Sequence, residues 1–457
     1  MSVSYLALSS IADEFGVTLR AVGWVVIIES LLVAALLLPF GYMADVVGRR
    51  RILVTGMVVF AIGSLLTGIS PSFAWLIGAR VVMSLGNALA QSVATGMIVS
   101  TFPSHERGLA LGAQSTAVSI GAASGPLIGG FAIGAFGWAS VFLAIAAPSL
   151  LALVPIYRFV APDSPAIAKG DSQDGGQATG FDTLGAALAG LAVVAVVVTT
   201  TNPFGFDWIS APVGGGLLVG VGLIAAFIRR ELAYPVPMLE LRLFANRVFR
   251  TAVLVRLLGF LGASVSALLL PIYLLSVRQV SETTAGFVLF ALPLGMGISA
   301  IVSGRWSDRV GPRTPSLVGV AAQLAATGAL AITTDSTPVW LLAVAMGFQG
   351  LAMGLWNVPS NSAMMGATPT GRLGVGGAFS NVTRTMGGVL SQAMAVAIVV
   401  GVMAGQGFDI PLGEVGDTVG APDSFIDGWR LAFTASAAAT FTAGLVALSY
   451  ERPKRAL

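Results

Sequence analysis

The stretch Gly41–Arg51 reads GYMADVVGRRR and separates two long apolar segments, Trp24–Met43 and Ile52–Ile69. Each segment is long enough to cross a hydrocarbon core of about 30 Å as a helix. Arginines beside a short loop mark the cytoplasmic side of a membrane protein. We therefore expect two spanning helices joined on the cytoplasmic face, with this loop fixing the orientation of the chain. A weaker copy, GRWSDRVGPR, occurs at Gly304–Arg313.

The composition indicates an integral membrane protein. The chain has 457 residues, of which 56% are hydrophobic and 10% charged, and its mean hydropathy is +0.88. Soluble domains carry about 25% charged residues. The absence of cysteine excludes disulfides and thiolate metal sites, and the single histidine, His105, lies in a polar loop. We therefore expect no metal and no cofactor. We also expect no nucleic-acid partner, because no basic stripe with interleaved aromatics is present.

Apolar spans of helical length recur along the chain and predict fourteen membrane crossings. The first is incomplete, and we expect its beginning to lie upstream of Met1. The predicted spans are 1–12, 21–43, 52–70, 74–101, 108–134, 138–157, 183–201, 211–228, 251–276, 284–303, 315–333, 338–365, 373–404 and 429–449.

Strict alternation of these spans separates the charges. Most of the 24 lysines and arginines fall in loops on the same side as Gly41–Arg51, and the acidic segment 405–428 falls on the other side. This bias predicts cytoplasmic major loops and a cytoplasmic C-terminus. The Ala-, Gly- and Arg-rich, Lys-poor composition is typical of a GC-rich bacterial genome, so we expect a multi-pass protein of the plasma membrane.

Two sets of residues repeat at nearly the same offset and predict two homologous halves. We expect an N-terminal six-helix bundle at 1–157, a linker region with two additional helices at 158–250, and a C-terminal six-helix bundle at 251–457. Parallel halves of six helices are one plan of secondary transporters. The matching residues are Gly41, Asp45, Gly48 and Arg50 with Gly304, Asp308, Gly311 and Arg313, and Arg107, Gly112, Ala113 and Ser115 with Arg372, Gly377, Ala378 and Ser380.

Three motifs resemble those of the major facilitator superfamily, and the set is similar to its fourteen-helix drug:proton antiporters. The loop signature matches at Gly41, Asp45, Gly48, Arg49 and Arg50. The fourth-helix signature matches at Arg80 and Gly86, with Ser84 where glutamine is usual. The antiporter motif of the fifth helix matches at Gly121, Gly125, Pro126, Gly129 and Gly130.

The resemblance implies an all-α major facilitator fold and a monomer that exports amphipathic, drug-like compounds in exchange for protons. The chain departs from the family pattern at two places. The acidic residue of the first helix would fall before Met1, and Glu29 stands where the second helix often has tyrosine. Both positions bear on proton coupling.

Glu29 is the only carboxylate inside the predicted spans. An ionised carboxylate in a bilayer must be paired, face water or become neutral. A carboxylate that changes between such surroundings can bind and release a proton, so Glu29 is a candidate for coupling transport to protons. The alternatives are a structural ion pair or a position near the outer interface.

Arg80 heads a polar stripe with Ser84, Asn87 and Gln91, which share one helix face. Such a stripe predicts a cavity wall, with Arg80 near the proton or substrate; interhelical hydrogen bonding is the alternative. In the second half we expect cavity lining from Asn357, Asn361, Asn381, Arg384 and Gln392. For Arg256 we expect the side chain to extend towards the cytoplasm.

Two further features predict conformational change. Gly121, Gly125 and Gly129 recur every fourth residue, which favours close helix packing beside the bend at Pro126. The loop residues Gly41, Asp45, Gly48, Arg49, Arg50, Asp308 and Arg313 suit a conformational latch of ionic contacts, with orientation signalling alone as the alternative.

The sequence lacks the motifs of enzymes and ATP-driven pumps: it contains no H-E-x-x-H, no G-x-S-x-G and no G-x-x-x-x-G-K-[ST]. We expect a secondary transporter whose ligands are a small molecule, protons and lipid. The alternatives are a specific metabolite exporter, an uptake permease, and a non-transporting receptor or scaffold.

Overall fold

The computed structural model describes residues 8–160, 182–201, 210–234, 237–239, 241–334, 336–408, 410 and 412–450. Within these ranges the chain is helical and contains no strand, which confirms the all-α fold class. Residues 161–181 of the predicted linker region 158–250 lie outside the described residues. The α-helices are α1 Leu8–Phe15, α2 Leu19–Val47, α3 Arg49–Gly68, α4 Phe73–Thr101, α5 Arg107–Phe136, α6 Ala139–Leu151, α7 Leu153–Phe159, α8 Thr183–Thr201, α9 Ala211–Ala233, α10 Arg247–Ala263, α11 Val265–Ile272, α12 Glu282–Val310, α13 Arg313–Ala331, α14 Val339–Gly366, α15 Leu373–Gly405 and α16 Ala421–Ala447.

Twelve helices of the described part are long and apolar enough to cross a membrane. Three of them join neighbouring elements: α6 with α7, α10 with α11 and a π-helical turn, Tyr273–Val277, and α15 with a 3-10 turn, Thr370–Arg372. Separately, α5 is 30 residues long and covers the predicted span 108–134. At the N-terminus, α1 has only eight residues, and residues 1–7 lie outside the described part. The fourteen-helix count is therefore not confirmed.

The second glycine of each signature loop ends one helix and turns the chain into the next. Gly48 has φ +116° and donates its N–H to the carbonyl of Ala44, and α3 begins at the following residue. Gly311 has φ +80° and donates to the carbonyl of Ser307 between α12 and α13. Positive φ is readily adopted by glycine alone, which explains this part of the motif.

The chain divides into two compact units. The first comprises Met1–Thr101, Ser124–Arg242 and Thr368–Val382. Within it, α4 packs against α2 and α3, and α3 packs against α6. The helix pair α8 and α9 joins this unit where α8 packs on α2. Trp138 and Phe142 lie in its core beside α1, α2 and α4.

The second unit comprises Phe102–Ala123, Leu243–Ala367 and Thr383–Leu457. Helix α14 packs against α10, α12 and α13, and α16 packs against α10 and α13. Its largest core cluster surrounds Tyr273 and Trp429, whose ring centroids are 5.1 Å apart. The first part of α5 belongs to this unit and the start of α15 to the other; the predicted bundle boundaries stay a prediction.

Candidate functional site

Glu29 on α2 and Arg80 on α4 form a buried ion pair. Arg80 Nη2 donates to Glu29 Oε2 at 2.5 Å, and the residues are 7% and 1% exposed. Of the surroundings expected for an intramembrane carboxylate, the structure shows a charged partner. Asn87 Nδ2 also donates to Glu29 Oε1 at 3.2 Å, so both carboxylate oxygens accept hydrogen bonds.

The rest of the Arg80 guanidinium is held by its surroundings. Its Nε donates to the carbonyl of Val25 at 3.1 Å and its Nη1 to Met83 Sδ at 3.3 Å. The cation also lies 5.4 Å from the ring centroid of Phe142. These contacts fix the position of Arg80. Neutralisation of Glu29 would leave the Arg80 cation without its ionic partner.

The predicted polar stripe on α4 continues as a chain of hydrogen bonds. Gln91 Nε2 donates to Asn87 Oδ1 at 2.9 Å, and the carbonyl of Gln91 accepts from Asn381 Nδ2 at 3.3 Å. Asn87, Gln91 and Asn381 are half-buried. Ser84 is buried and donates to the carbonyl of Arg80. Four predicted residues thus join Glu29 in one network, whereas Ser84 bonds only its own helix within the part of the chain that the structure describes.

Asp45, the acidic residue of the signature, binds the start of α15. Its Oδ1 accepts the N–H of Gly374 at 2.8 Å and its Oδ2 accepts that of Val375 at 2.9 Å. Arg49 donates to Asp45 from Nε and Nη2 and to the carbonyl of Thr370. A carboxylate at a helix N-terminus satisfies free N–H groups and opposes the positive end of the helix dipole.

Asp308 forms the same arrangement in the second unit. Its Oδ1 accepts the N–H of Gly108 at 2.8 Å and its Oδ2 that of Leu109 at 2.9 Å, at the start of α5. Among the described residues no ion pair joins Asp308 to Arg309 or Arg313, and the ionic contacts expected there stay a prediction. Asp308 is bound by backbone N–H groups at the N-terminus of α5.

The first glycine of each signature allows this close approach. A Cβ at Gly41 would lie 2.5 Å from Ala378 Cβ and 2.8 Å from the carbonyl oxygen of Gly374. A Cβ at Gly304 would overlap the carbonyl oxygen of Gly108. The glycine and the aspartate lie one turn apart on the same helix face, so that one makes room for the helix start that the other binds.

The remaining latch arginines have other positions. Arg50 donates to the carbonyl of Tyr157 at 3.1 Å, and its guanidinium lies 5.2 Å from the centroid of that ring. Arg313 is the first residue of α13 and is half-buried. Their expected part in a latch stays a prediction.

In the second unit, Arg256 and Asn357 form a buried pair. Arg256 Nη1 donates to Asn357 Oδ1 at 2.6 Å and to its carbonyl at 3.1 Å. The expectation that Arg256 extends to the cytoplasm is wrong, because the residue is 3% exposed. Burial raises the pKa of the nearby Tyr450 phenol, an effect that the charge of Arg256 opposes.

The other predicted lining residues of this half are Asn361, Arg384 and Gln392. Arg384 is exposed and close enough to Arg256 for the two positive charges to repel. Asn361 and Gln392 are half-buried. The cavity role of these residues stays a prediction.

The fifth-helix motif lies within α5. A Cβ at Gly121 would meet no described atom within 4 Å, and the close packing expected from the glycine spacing stays a prediction. Gly125 is half-buried and Gly129 is buried. For Pro126 and Gly130 only the helical backbone is described.

Sequence reasoning missed two buried carboxylates, Glu231 and Asp182. Glu231 escaped notice because the predicted span ended at 228, whereas α9 continues to Ala233 and buries Glu231 to 3% exposure. Asp182, placed in the linker, is 1% exposed. The sequence signal that could have revealed this site is the position of Asp182 just before α8 and of Glu231 near the end of α9.

Known proteins resemble this chain over most of its length. The family model described as Major Facilitator Superfamily matches residues 1–392. The chain is 27% identical over 395 residues to the riboflavin transporter RibZ of Clostridioides difficile, which covers 86% of this chain and 83% of RibZ. It is 27% identical over 430 residues to the multidrug efflux pump LfrA of Mycolicibacterium smegmatis, which covers 93% of this chain and 82% of LfrA.

Solved structures show the same fold. The human organic anion transporter MFSD10 superposes with a TM-score of 0.61 at 17% identity, over 98% of this chain and 89% of that one. The proton:xylose symporter XylE superposes with a TM-score of 0.62 at 13% identity, over 96% and 91%. These proteins are transporters and not enzymes. With the family model spanning most of its length, the chain belongs to the Major Facilitator Superfamily of membrane transporters.

Proposed function

We propose that this transporter exports amphipathic, drug-like compounds in exchange for protons by alternating access. The names of several relatives support export: besides LfrA, the chain is 29% identical over 402 residues to the drug efflux pump JefA of Mycobacterium tuberculosis. The driving force in this proposal is the proton gradient at the plasma membrane, and no cofactor takes part.

The buried ion pair of Glu29 and Arg80 carries the proposal. Breaking a buried pair leaves an uncompensated charge, which costs about 3–5 kcal/mol. A proton on Glu29 neutralises the carboxylate when the pair opens, while the Arg80 cation keeps its contacts with the Val25 carbonyl and the Phe142 ring. Release of the proton restores the pair when it closes. Because Asn87 and Gln91 extend from the same carboxylate, a substrate that displaces these amides would change the surroundings of the proton site.

Asp45 and Asp308 suit the conformational change that alternating access requires. Each holds the start of a helix that lies far away in the sequence. A few charge-assisted hydrogen bonds can stabilise one state and break in the other. The latch is proposed to lie at the cytoplasmic ends of the helices, as the arginines of the loops predict.

The alternative is a transporter for one metabolite, either an exporter or an uptake permease. The similarity to the riboflavin transporter RibZ, with coverage comparable to that of the efflux pumps, favours this alternative. The two proposals differ in selectivity, because a multidrug exporter accepts several unrelated compounds and a metabolite transporter accepts one.

The test is transport by the purified protein in liposomes with an imposed pH gradient, using ethidium and riboflavin as separate probes. We expect the parent protein to transport ethidium when a pH gradient is imposed. In Glu29→Gln the transport of ethidium should no longer respond to the pH gradient. The control Asp423→Asn, which changes an exposed carboxylate, should transport ethidium as the parent does. Gradient-driven transport by Glu29→Gln would refute coupling through this residue. Transport of riboflavin alone would favour the alternative.

A further inference from the structure

Two acidic residues meet where α8 begins and α9 ends. Asp182 precedes α8, and its Oδ1 accepts the N–H of Gly185 at 2.9 Å. Arg230 of α9 donates to both oxygens of Asp182, at 3.2 and 3.3 Å. Asp182 is thus an ion-paired residue that caps its helix, and its charge is compensated.

Glu231, the next residue of α9, has one satisfied and one unsatisfied oxygen. Its Oε2 accepts the N–H of Leu239 at 2.8 Å. Its Oε1 is buried and has no hydrogen-bond partner among the described residues, although the residue is only 3% exposed. A buried acceptor without a donor is costly, and a proton bound to Oε1 would convert it into a donor.

The two carboxylates share the space above Gly185. A Cβ on Gly185 would lie 2.7 Å from Asp182 Oδ2 and 3.1 Å from Glu231 Oε1, so these oxygens are about 6 Å apart at most, a range in which like charges disfavour each other. The other groups that face Glu231 electrostatically are Arg372 and Tyr42. Tyr234 follows α9 beside Arg230.

This pair is connected to the start of α15. The segment that Glu231 holds through Leu239 also contains Pro237, whose carbonyl accepts a hydrogen bond from Arg372 Nη1. Arg372 ends the short 3-10 turn that leads into α15, and the N–H groups of Gly374 and Val375 that follow bind Asp45. An ionised Glu231 also attracts Arg372 directly.

We propose that Asp182 and Glu231 form a second proton-binding site, carried by the two additional helices, that controls the contact between Asp45 and the start of α15. With Glu231 ionised, Arg372 is held by the carboxylate and by Pro237, and the start of α15 stays on Asp45. With a proton on Oε1, the attraction to Arg372 is lost and the start of α15 leaves Asp45 more often. Acidification at the Asp182–Glu231 site thereby opens the contact between Asp45 and the start of α15.

The meaning of this site for export rests on the proposed function, but its test needs no substrate. The chain has no cysteine, so a single Val375→Cys change gives a buried reporter beside Asp45. A Thr370→Cys change gives an exposed reference that corrects for ionisation of the thiol. The rate of labelling by N-ethylmaleimide is measured for both in lipid nanodiscs between about pH 5.5 and 8.5.

We expect the ratio of the two rates to rise about fivefold or more towards acid pH, the low end of the coupling between linked sites in proteins. In Glu231→Gln the ratio should be high and independent of pH, and Asp423→Asn should behave as the parent. If Glu231→Gln does not fold, Arg372→Gln decides, because its ratio must also lose the pH dependence. An unchanged pH profile in the folded variant, or a flat profile in the parent, overturns the proposal. A pH-dependent ratio without drug transport would refute only the proposed function.

Discussion

Arg80 donates to the carboxylate of Glu29 at 2.5 Å, and both residues are buried. Each charge therefore depends on the other. Such pairs contribute little net stability, since the cost of removing two charges from water offsets their attraction. Their consequence is different: the loss of one partner alone is strongly unfavourable.

This asymmetry predicts the behaviour of single and double variants. Arg80→Met should destabilise the protein by about 3–5 kcal/mol, because Glu29 is left as an uncompensated charge. Adding Glu29→Gln should recover most of that loss, since the introduced amide is neutral and can still accept from Asn87. The midpoints of thermal unfolding in detergent, at neutral pH, measure both effects. A double variant no more stable than Arg80→Met would show that the arginine acts through packing and not charge.

The sequence predicted the helices well because each apolar span is a local property of the chain. It also placed Arg80, Asn87 and Gln91 on one face, since the helical period fixes faces without knowledge of the neighbours. It did not predict that Glu29 meets Arg80 and Asn87, because pairing depends on which helices pack together. For the same reason the partners of Asp45 were expected to be arginines, whereas backbone N–H groups of a distant helix also bind it.

Charged residues near helix ends were harder to place. The expectation that Arg256 reaches the cytoplasm rested on its depth within one helix, and Asn357 on another helix holds it inside. Glu231 was missed because the hydrophobic window ended before the helix did. Apolar length identifies a span, but it does not show how far the helix continues into polar sequence.

The carboxylate of Asp45 is predicted to be needed for transport and not for insertion. Asp45→Ala removes both acceptors from the start of α15, which costs about 0.5–2 kcal/mol for a helix N-cap. It also leaves the buried Arg49 without its ionic partner, a loss of about 3–5 kcal/mol. We expect a reduced rate of transport in liposomes when the rate is normalised to the inserted, monodisperse protein. Asp308→Ala should have a similar effect through α5. Transport at the parental rate in both variants would leave orientation signalling as the function of the motif.

The signature glycines should tolerate no side chain. Gly41→Ala and Gly304→Ala place a methyl group against backbone of another helix, and overpacking of this kind costs about 1–3 kcal/mol. Each helix offers a matched control: a Cβ at Gly23 of α2 or at Gly286 of α12 would meet open space. We expect lower unfolding midpoints for the first two variants and unchanged or higher midpoints for the controls. Equal midpoints within each pair would contradict the close approach.

The orientation predicted from the arginines can be tested with the same cysteine-free background. Arg51 in the first turn of α3 and Gln406 after α15 are both exposed. If strict alternation holds, a membrane-impermeant thiol reagent added outside intact cells should label Gln406→Cys and leave Arg51→Cys unlabelled until the membrane is made permeable. Labelling of both positions from one side would place the signature loop and the acidic segment on the same face. The span count would then be wrong, and the latch could not be cytoplasmic as proposed.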